Sequence, residues 1–321
     1  MNPEVHQREL QRNRELYTFL TELFPEADLQ AFLEATRRKL PTVIRVNTLK
    51  APEPEVVQRL ERQGFVLERI PGVPFAYRLR EKPYPIGKTL EHFLGYVYVQ
   101  ELASMLPPVI LNPQPHERVL DLAAAPGSKT TQMAQMMQNT GVILANDVDI
   151  QRMKALTNNL DRSGVLNTVL TQVDGYKLGF WFENTFDRVL LDAPCSALGT
   201  LHKTYEILKW WSWGKVGRLV RTQKGLILAA YQALRPGGVL VYSTCTLVPE
   251  ENEGVVAFLL QRYPEARILE IPEIPGLKMR PGFTRWKRNE YPPAMQHTRR
   301  VYPQDNLTEG FFIARIQKPE A

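Results

Sequence analysis

Leu120-Asp121-Leu122-Ala123-Ala124-Ala125-Pro126-Gly127-Ser128-Lys129-Thr130-Thr131 reads as the end of a buried strand, a turn of small residues and the start of a helix. Small side chains let the backbone approach a ligand closely, and the free N–H groups of a helix start favour a negative group. The stretch is not Gly-x-Gly-x-x-Gly, so a dinucleotide is not the first expectation. It also lacks the Gly-Lys-Ser/Thr ending of a phosphate loop. From Gln100 onward, apolar runs alternate with helical patterns. Strands are expected at 118–122, 142–147, 168–173, 187–191 and 238–243, and helices near 128–138, 149–162, 215–234 and 250–262. Such alternation predicts an α/β fold with a mostly parallel sheet covered on both faces. Phe311-Phe312-Ile313-Ala314-Arg315-Ile316 adds a final strand.

Upstream, the pattern is that of a smaller α+β module. Residues 6 to about 40 are expected to be helical, with Leu16, Phe19, Leu20 and Leu23 on one face, until Pro41 breaks the run. Val43 to Asn47 reads as a strand, Pro54 opens a helix that runs to Gln63 and stops at Gly64, and Phe65–Ile70 and Ala76–Leu79 read as further strands. The expected division is therefore 1–95 for the module and 96–321 for the large domain, within the 321 residues of the chain. The module's sheet is suited either to touching RNA or to packing as an extension of the large domain.

Composition narrows the class. Hydrophobic residues make up 44% and charged residues 23%, as in an ordinary globular protein. No apolar run is long enough to span a bilayer, and the charged N-terminus is not a signal peptide. Two widely spaced cysteines give neither a disulfide framework nor a zinc pattern, so a reduced, cytoplasmic and metal-free setting is expected. A net charge of +6 and a pI of 9.2 suit an anionic partner without establishing one.

Beyond the small-residue turn, Asp147 ends the second strand, 20 positions after Gly127, where a carboxylate can hold two ribose hydroxyls. Asp174 ends the third strand and can accept from an adenine amino group. A single Asp at a strand end is usually a turn or cap residue; two in register with such a turn point to adenosine. A carboxylate-bearing tail with no phosphate loop then makes S-adenosylmethionine the expected cofactor.

The two cysteines, Cys195 and Cys245, each follow a buried strand. Cys195 closes Asp192-Ala193-Pro194-Cys195, and Cys245 lies in Ser243-Thr244-Cys245-Thr246. Free cysteines are most often small buried hydrophobes, but two at neighbouring strand ends on the cofactor edge suit attack on a pyrimidine. C5 of cytosine is a poor nucleophile until a thiolate adds to C6, and a hydrogen bond at N3 stabilises the charge that develops. Cys245, Cys195 and Asp192 supply the residue types, and Lys129 adds positive charge. These residues alone do not choose between the two thiols.

These motifs resemble the Sun family of RNA cytosine-5 methyltransferases. Gly95 to Ser104 is similar to the family's opening motif. Asp121 to Thr131, Asp147, Asp174, Asp192 to Ser196 and Ser243 to Glu253 resemble its cofactor and catalytic motifs, and Arg299 to Lys318 its closing strand. The resemblance implies a Rossmann-like class I methyltransferase domain that uses S-adenosylmethionine. It implies a cofactor site of Ala123, Ala124, Ala125, Pro126, Gly127, Ser128, Lys129, Asp147, Arg152, Asp174 and Asp192. It makes Cys245 the nucleophile, gives Cys195 a part in product release, and sets Asp192 against the cytosine edge. Two positions depart from the family pattern: Ala123 stands where a cysteine is frequent, and Ala197 replaces a usual glycine.

The partner expected is a structured RNA, tRNA or rRNA, with tRNA favoured, because a base flips out most easily in loops and junctions. Arg280, Arg285, Lys287, Arg288, Arg299 and Arg300 interleave with Phe283, Trp286, Tyr291 and Tyr302, a pattern able to neutralise phosphates and stack bases. Trp210, Trp211 and Trp213 are read partly as packing residues, and His202 as a surface or packing histidine. Two other readings stand beside the first. One is methylation of a base amino group, which needs no thiol; the other is a non-catalytic RNA-binding assembly factor on the same fold.

Overall fold

The computed structural model of the protein describes residue 10 and residues 12–320. The chain begins with two helices where the sequence pattern predicts one: α1 (Arg14–Leu23) and α2 (Glu26–Arg37). The break falls at Phe24 and Pro25, since a proline lacks the N–H that a helix interior needs. Residues 6–9 and 11 of the expected helix lie outside the described residues. Leu16, Phe19, Leu20 and Leu23 are buried on one face, as their spacing predicts. The Asn13 side chain caps α1 by accepting from the Leu16 N–H at 3.1 Å, and it donates to the carbonyls of Leu208 and Trp211. That anchors the helix to the far side of the large domain, where Phe19 stacks on Trp211 with ring centroids 5.5 Å apart.

The small module holds β1 (Val43–Val46), α3 (Glu53–Arg62), β2 (Val66–Arg69), β3 (Ala76–Glu81) and β4 (Val97–Val99). Its strands are antiparallel in the order β2-β3-β1-β4. Thus β4, on the large-domain side of a boundary at residue 95, pairs with β1 of the module. Ile44, Val46, Tyr77, Leu79 and Val97 pack on Val56 and Leu60 of α3. Val43 and Arg45 turn the other way, toward the large domain, where Arg45 Nη2 donates to Thr131 Oγ1 at 2.8 Å.

The large domain runs α4 (Leu102–Leu111), β5 (Arg118–Asp121), α5 (Ser128–Met136), β6 (Val142–Asn146), α6 (Ile150–Ser163), β7 (Thr168–Thr171), α7 (Gly175–Trp181) and β8 (Phe186–Asp192). It continues with α8 (Trp213–Ala233), β9 (Leu234–Thr244), α9 (Glu253–Arg262), β10 (Arg267–Leu269), β11 (Met279–Pro281), the hairpin β12–β13 (Arg285–Trp286, Asn289–Glu290), β14 (Arg299–Val301) and β15 (Phe311–Gln317). The sheet order is β7-β6-β5-β8-β9-β15-β14-β11, with β10 also paired to β15. Strands β5 to β9 are parallel, as the alternation predicts, and β15 returns antiparallel to β9. The fold is α/β, Rossmann-like, with the α+β module attached.

Besides three single-turn helices at Leu90–Phe93, Ile207–Trp210 and Pro303–Asn306, two longer described helices lie outside the expectations. In α4 nearly every residue is buried and Pro107 and Pro108 sit inside it, so neither a helical stripe nor a proline-free run marks it. Seven-residue α7 contains Gly175 and Gly179, which pack against Leu226 and Ala229 of α8 and weaken the local helix signal.

Residues alternate across the sheet. Val119, Leu190, Val241 and Ile313 face one layer, and Leu120, Val189, Leu191, Leu240 and Tyr242 face the other. Both faces are covered, which is why these strands read as continuous apolar runs. After β5 the chain builds outward through β6 and β7, then crosses back to β8 on the other side of β5. This reversal opens a crevice at the carboxyl ends of β5 and β8, the usual ligand position in such sheets.

The C-terminal arm is fastened by one fully buried ion pair. Arg300 Nε donates to Glu253 Oε1 at 2.7 Å and Arg300 Nη1 to the Leu247 carbonyl at 3.0 Å, with Arg300 1% and Glu253 0% exposed. Removing one member leaves the other buried and unpaired, at a cost of about 3–5 kcal/mol. Glu253→Gln and Arg300→Met are each expected to lower stability by that order in urea denaturation. The double variant with methionine at both positions should lose much less than the sum of the two.

Candidate active site

At the end of β5, Asp121 is 1% exposed and accepts from Thr130 Oγ1 at 2.7 Å. Burial pushes its carboxyl up to about 7. The alanines that follow leave the strand end unobstructed, and Gly127 takes φ +101° to start α5. A side chain at Gly127 would meet Leu156 Cδ1 at 2.7 Å, so the turn is also held against α6. No side chain caps the α5 N-terminus. Its first N–H groups therefore suit a carboxylate.

Asp147, 2% exposed, accepts from the Ala125 N–H at 3.2 Å and meets Arg152 Nη1 at 3.2 Å, while Arg152 Nη2 donates to the Ala125 carbonyl. Arg152 thus braces the turn against β6. Asp174 is exposed and caps α7 by accepting from the Tyr176 N–H at 3.1 Å. Asp147, Asp174 and Asp192 stand at or just beyond the ends of β6, β7 and β8, along the carboxyl edge of one sheet in which β5 lies between β6 and β8. Carboxylates for hydroxyl and amino donors beside an uncapped helix N-terminus are a donor set that fits an adenosine carrying an amino-acid tail.

On the other side of the crevice, β8 and β9 run parallel with Asp192 opposite Ser243. Ser243 Oγ donates to Asp192 Oδ1 at 2.7 Å, and Lys129 Nζ reaches Asp192 Oδ2 at 2.6 Å and Ser104 Oγ at 2.9 Å. The Lys129 nitrogen also lies 5.5 Å from the centre of the Phe311 ring. Burial works against its charge, but Asp192 first, then Cys245 and Asp121, outweigh it and hold the ammonium above its ordinary range. Beyond the strand ends, the Cys195 and Cys245 sulfurs are 3.4 Å apart. The bond to Cys245, burial and the charges of Cys245 and Glu251 push the Cys195 thiol well up. The Cys195 thiol is therefore held in its protonated form.

The loops that carry the sulfurs are held from behind by residues not singled out in the sequence. Glu251, 0% exposed, accepts from the Ser196 N–H and from Gln223 Nε2, each at 2.9 Å, and from the Ser196 hydroxyl. Ser196 Oγ lies 2.8 Å from Thr246 Oγ1, and Asn252 ties Thr244 to the Thr246 carbonyl. The signal was the charged run Glu251-Asn252-Glu253 entering an otherwise apolar helix. Ala197 adopts φ +56°, the left-handed conformation that the glycine usual here takes without strain. At Gly199 only hydrogen fits: a Cβ would lie 2.1 Å from the Gly310 oxygen and 2.8 Å from the Cys245 oxygen.

The basic, aromatic segment 278–302 is largely internal structure. Arg280 pairs with Asp28 and Asp305, Lys287 with Glu22, Arg299 with Glu270, and Arg300 with Glu253. Phe283 stacks on Trp286. Lys278 pairs with Asp305 as well, and of the seven lysines and arginines in the segment only Arg285 and Arg288 make no ion pair with a described residue. His202 is mostly buried beside Glu309, and burial with nearby Lys203 lowers it to about 4, so it is a neutral packing residue. Trp211, 2% exposed, packs in the core with Phe19.

The family model of 16S rRNA methyltransferase RsmB/F matches residues 108–317, and that of the N-terminal domain of 16S rRNA methyltransferase RsmF matches residues 13–102. The chain belongs to the RsmB/F family. This is the Sun-type family of RNA cytosine-5 methyltransferases that its motifs resemble. The chain is 48% identical over 295 residues to the tRNA (cytosine(49)-C(5))-methyltransferase of Pyrococcus abyssi, covering 91% of this chain and 93% of that protein. It is 41% identical to ribosomal RNA small subunit methyltransferase F of Vibrio parahaemolyticus, covering 91% of this chain but 60% of that one. Among solved structures, a methyltransferase homolog from Pyrococcus horikoshii superposes with a TM-score of 0.86 at 37% identity, covering 98% of this chain and 99% of that one. NSun6 of the same organism, determined with the S-adenosylmethionine analogue SFG, gives 0.83 at 26% identity, covering 96% and 98%. No described helix is long and apolar enough to cross a membrane.

Asp121 gives the site a pH signature. Its folded pKa of about 7 lies above the ordinary carboxylate value, so its contribution is favourable at low pH and is lost as pH rises through 7. Asp121→Asn keeps an acceptor for Thr130 without the charge. Its melting temperature relative to wild type should rise between pH 5 and pH 8, by the equivalent of about 2–4 kcal/mol. An unchanged gap between the two proteins would contradict a buried, protonated Asp121.

Proposed function

We propose that the chain methylates C5 of a cytosine in a structured RNA, with tRNA favoured, through a covalent bond from Cys245 to C6. The observation that carries this reading is the pair of sulfurs at 3.4 Å beside the Lys129–Asp192 ion pair, across the crevice from the small-residue turn. A tRNA is favoured because the tRNA-modifying relative is matched over 93% of its length, whereas the F enzymes are matched over about 60%.

Cys245 gives its proton to solvent and adds to C6 as the thiolate, with the S–H of Cys195 able to donate to it. The C5=C6 electron pair moves onto C5 and toward N3. Asp192 is an acceptor while paired with Lys129, so its carboxylate suits the exocyclic amino group, and the Lys129 ammonium stabilises the charge on the ring. S-adenosylmethionine, held by Ala123–Lys129, Asp147, Arg152, Asp174 and Asp192, supplies an electrophilic methyl group at C5. Cys195, having lost its own proton to solvent, then takes the C5 proton as the thiolate, the C5=C6 bond re-forms and Cys245 leaves as a thiolate. Adduct formation itself prepares Cys195 for this role. Once Cys245 is bonded to carbon, the partner and the charge that held the Cys195 proton are gone.

With S-adenosylmethionine and total tRNA, Cys195→Ala should accumulate a protein–RNA band on a denaturing gel. Cys245→Ala should form none and lose turnover by about 10³-fold or more. A band that requires Cys195 would reverse the roles. Turnover that survives loss of both thiols would favour methylation of a base amino group, and RNA binding without turnover in wild type would favour an assembly factor.

A further inference from the structure

Glu251 is a carboxylate with no cation beside it, buried behind the site and bonded only to neutral groups. It accepts from the Ser196 N–H at 2.9 Å, the Ser196 hydroxyl, and Gln223 Nε2 at 2.9 Å. Gln223 also donates to the Pro194 carbonyl at 2.8 Å, and Tyr242 OH donates to the Glu251 carbonyl at 2.6 Å. Every one of these bonds ends on the Pro194–Ser196 loop or on the strand leading to Cys245. Burying such a charge is costly, and a neutral side chain could make most of the same bonds. Burial pushes the Glu251 carboxyl above its ordinary range, and the bonds from Ser196 and Gln223 oppose that rise and favour the charged form.

We propose that Glu251 is a positioning residue for product release: it fixes Cys195 against Cys245 through Ser196, and its negative charge governs when Cys195 can give up and regain a proton. The geometry supplies the first part. Glu251 holds the residue after Cys195, and Ser196 Oγ at 2.8 Å from Thr246 Oγ1 holds the residue after Cys245. One carboxylate thereby sets the separation of the two sulfurs. The second part follows from which neighbours oppose ionisation of Cys195: the bond to Cys245, burial, the charge of Cys245 and the charge of Glu251. The first and third vanish when Cys245 becomes bonded to C6. Glu251 is the charge that remains, so it restrains Cys195 through the adduct stage and keeps its affinity for the C5 proton high. Glu251 itself does not touch the substrate. This inference rests on the C5 mechanism proposed above.

The test uses Glu251→Ala and Glu251→Gln beside Cys195→Ala, with S-adenosylmethionine and total tRNA. Glu251→Ala frees the Cys195 loop and should trap a protein–RNA adduct that depends on Cys245, as Cys195→Ala does. Glu251→Gln keeps the bonds, its amide donating to Ser196 Oγ, and should still turn over. Release followed by rapid quench rises with pH as Cys195 ionises. Removing a like charge lowers the pH at which that happens, so the rising limb should move down by about one pH unit in Glu251→Gln. A limb that does not move overturns the electrostatic role, and the isosteric variant decides the matter even if the alanine variant fails to fold. A folded Glu251→Ala that turns over normally, or that forms no adduct while Cys195→Ala does, overturns the positioning role and leaves the C5 mechanism intact. Absence of adduct in Cys195→Ala overturns the mechanism itself.

Discussion

Two sulfurs 3.4 Å apart at the ends of neighbouring parallel strands are the constraint on which this molecule turns. The strands β8 and β9 set the coarse spacing by placing Asp192 opposite Ser243. The fine spacing comes from the loops beyond, where the chain must leave the sheet, bring two thiols together and keep the crevice open. Gly199, whose missing side chain lets the Gly310 and Cys245 carbonyls approach, and Ala197, held at positive φ, show how tightly that path is drawn.

Most of the polar groups that hold these loops are buried and bonded within small networks. Glu251 binds the Cys195 loop, Asn252 the Cys245 loop, and Glu253 the C-terminal arm through Arg300. Three successive residues at the start of α9 thus fasten three separate walls of the site. The arm in turn brings Phe311 beneath Lys129, so the ion pair facing the crevice depends on the same helix start. Buried networks of this kind stabilise modestly but specify geometry, because a partly satisfied arrangement is strongly disfavoured.

What was legible in the sequence follows from the range of the interactions. The parallel strands and the small-residue turn are local patterns, and Leu120–Thr131 announces them. The family motifs carried Asp192, Cys195 and Cys245 to one sheet edge. Helix α4 was not legible because it is buried all round and contains Pro107 and Pro108, and the break at Pro25 was overlooked within a strong apolar stripe. The basic, aromatic segment was only partly legible, for a different reason. A charge run looks the same in sequence whether it faces solvent or pairs internally, and Arg280, Lys287 and Arg300 pair with acids far away in the chain, Arg280 with Asp28 at 252 positions. Ser104 had no local signal and Glu251 only the short acidic run it begins, since their roles exist only once distant segments meet.

The central claim is that Cys245 is the attacking thiol, while burial beside it keeps Cys195 protonated to higher pH. Alkylation of the unmodified protein with iodoacetamide across a pH series, with each cysteine peptide followed by mass spectrometry, tests it most directly. The account predicts that Cys245 is labelled first and at lower pH, with Cys195 reacting only as the medium becomes more alkaline. Cys195 labelled first, at the lower pH, would contradict it.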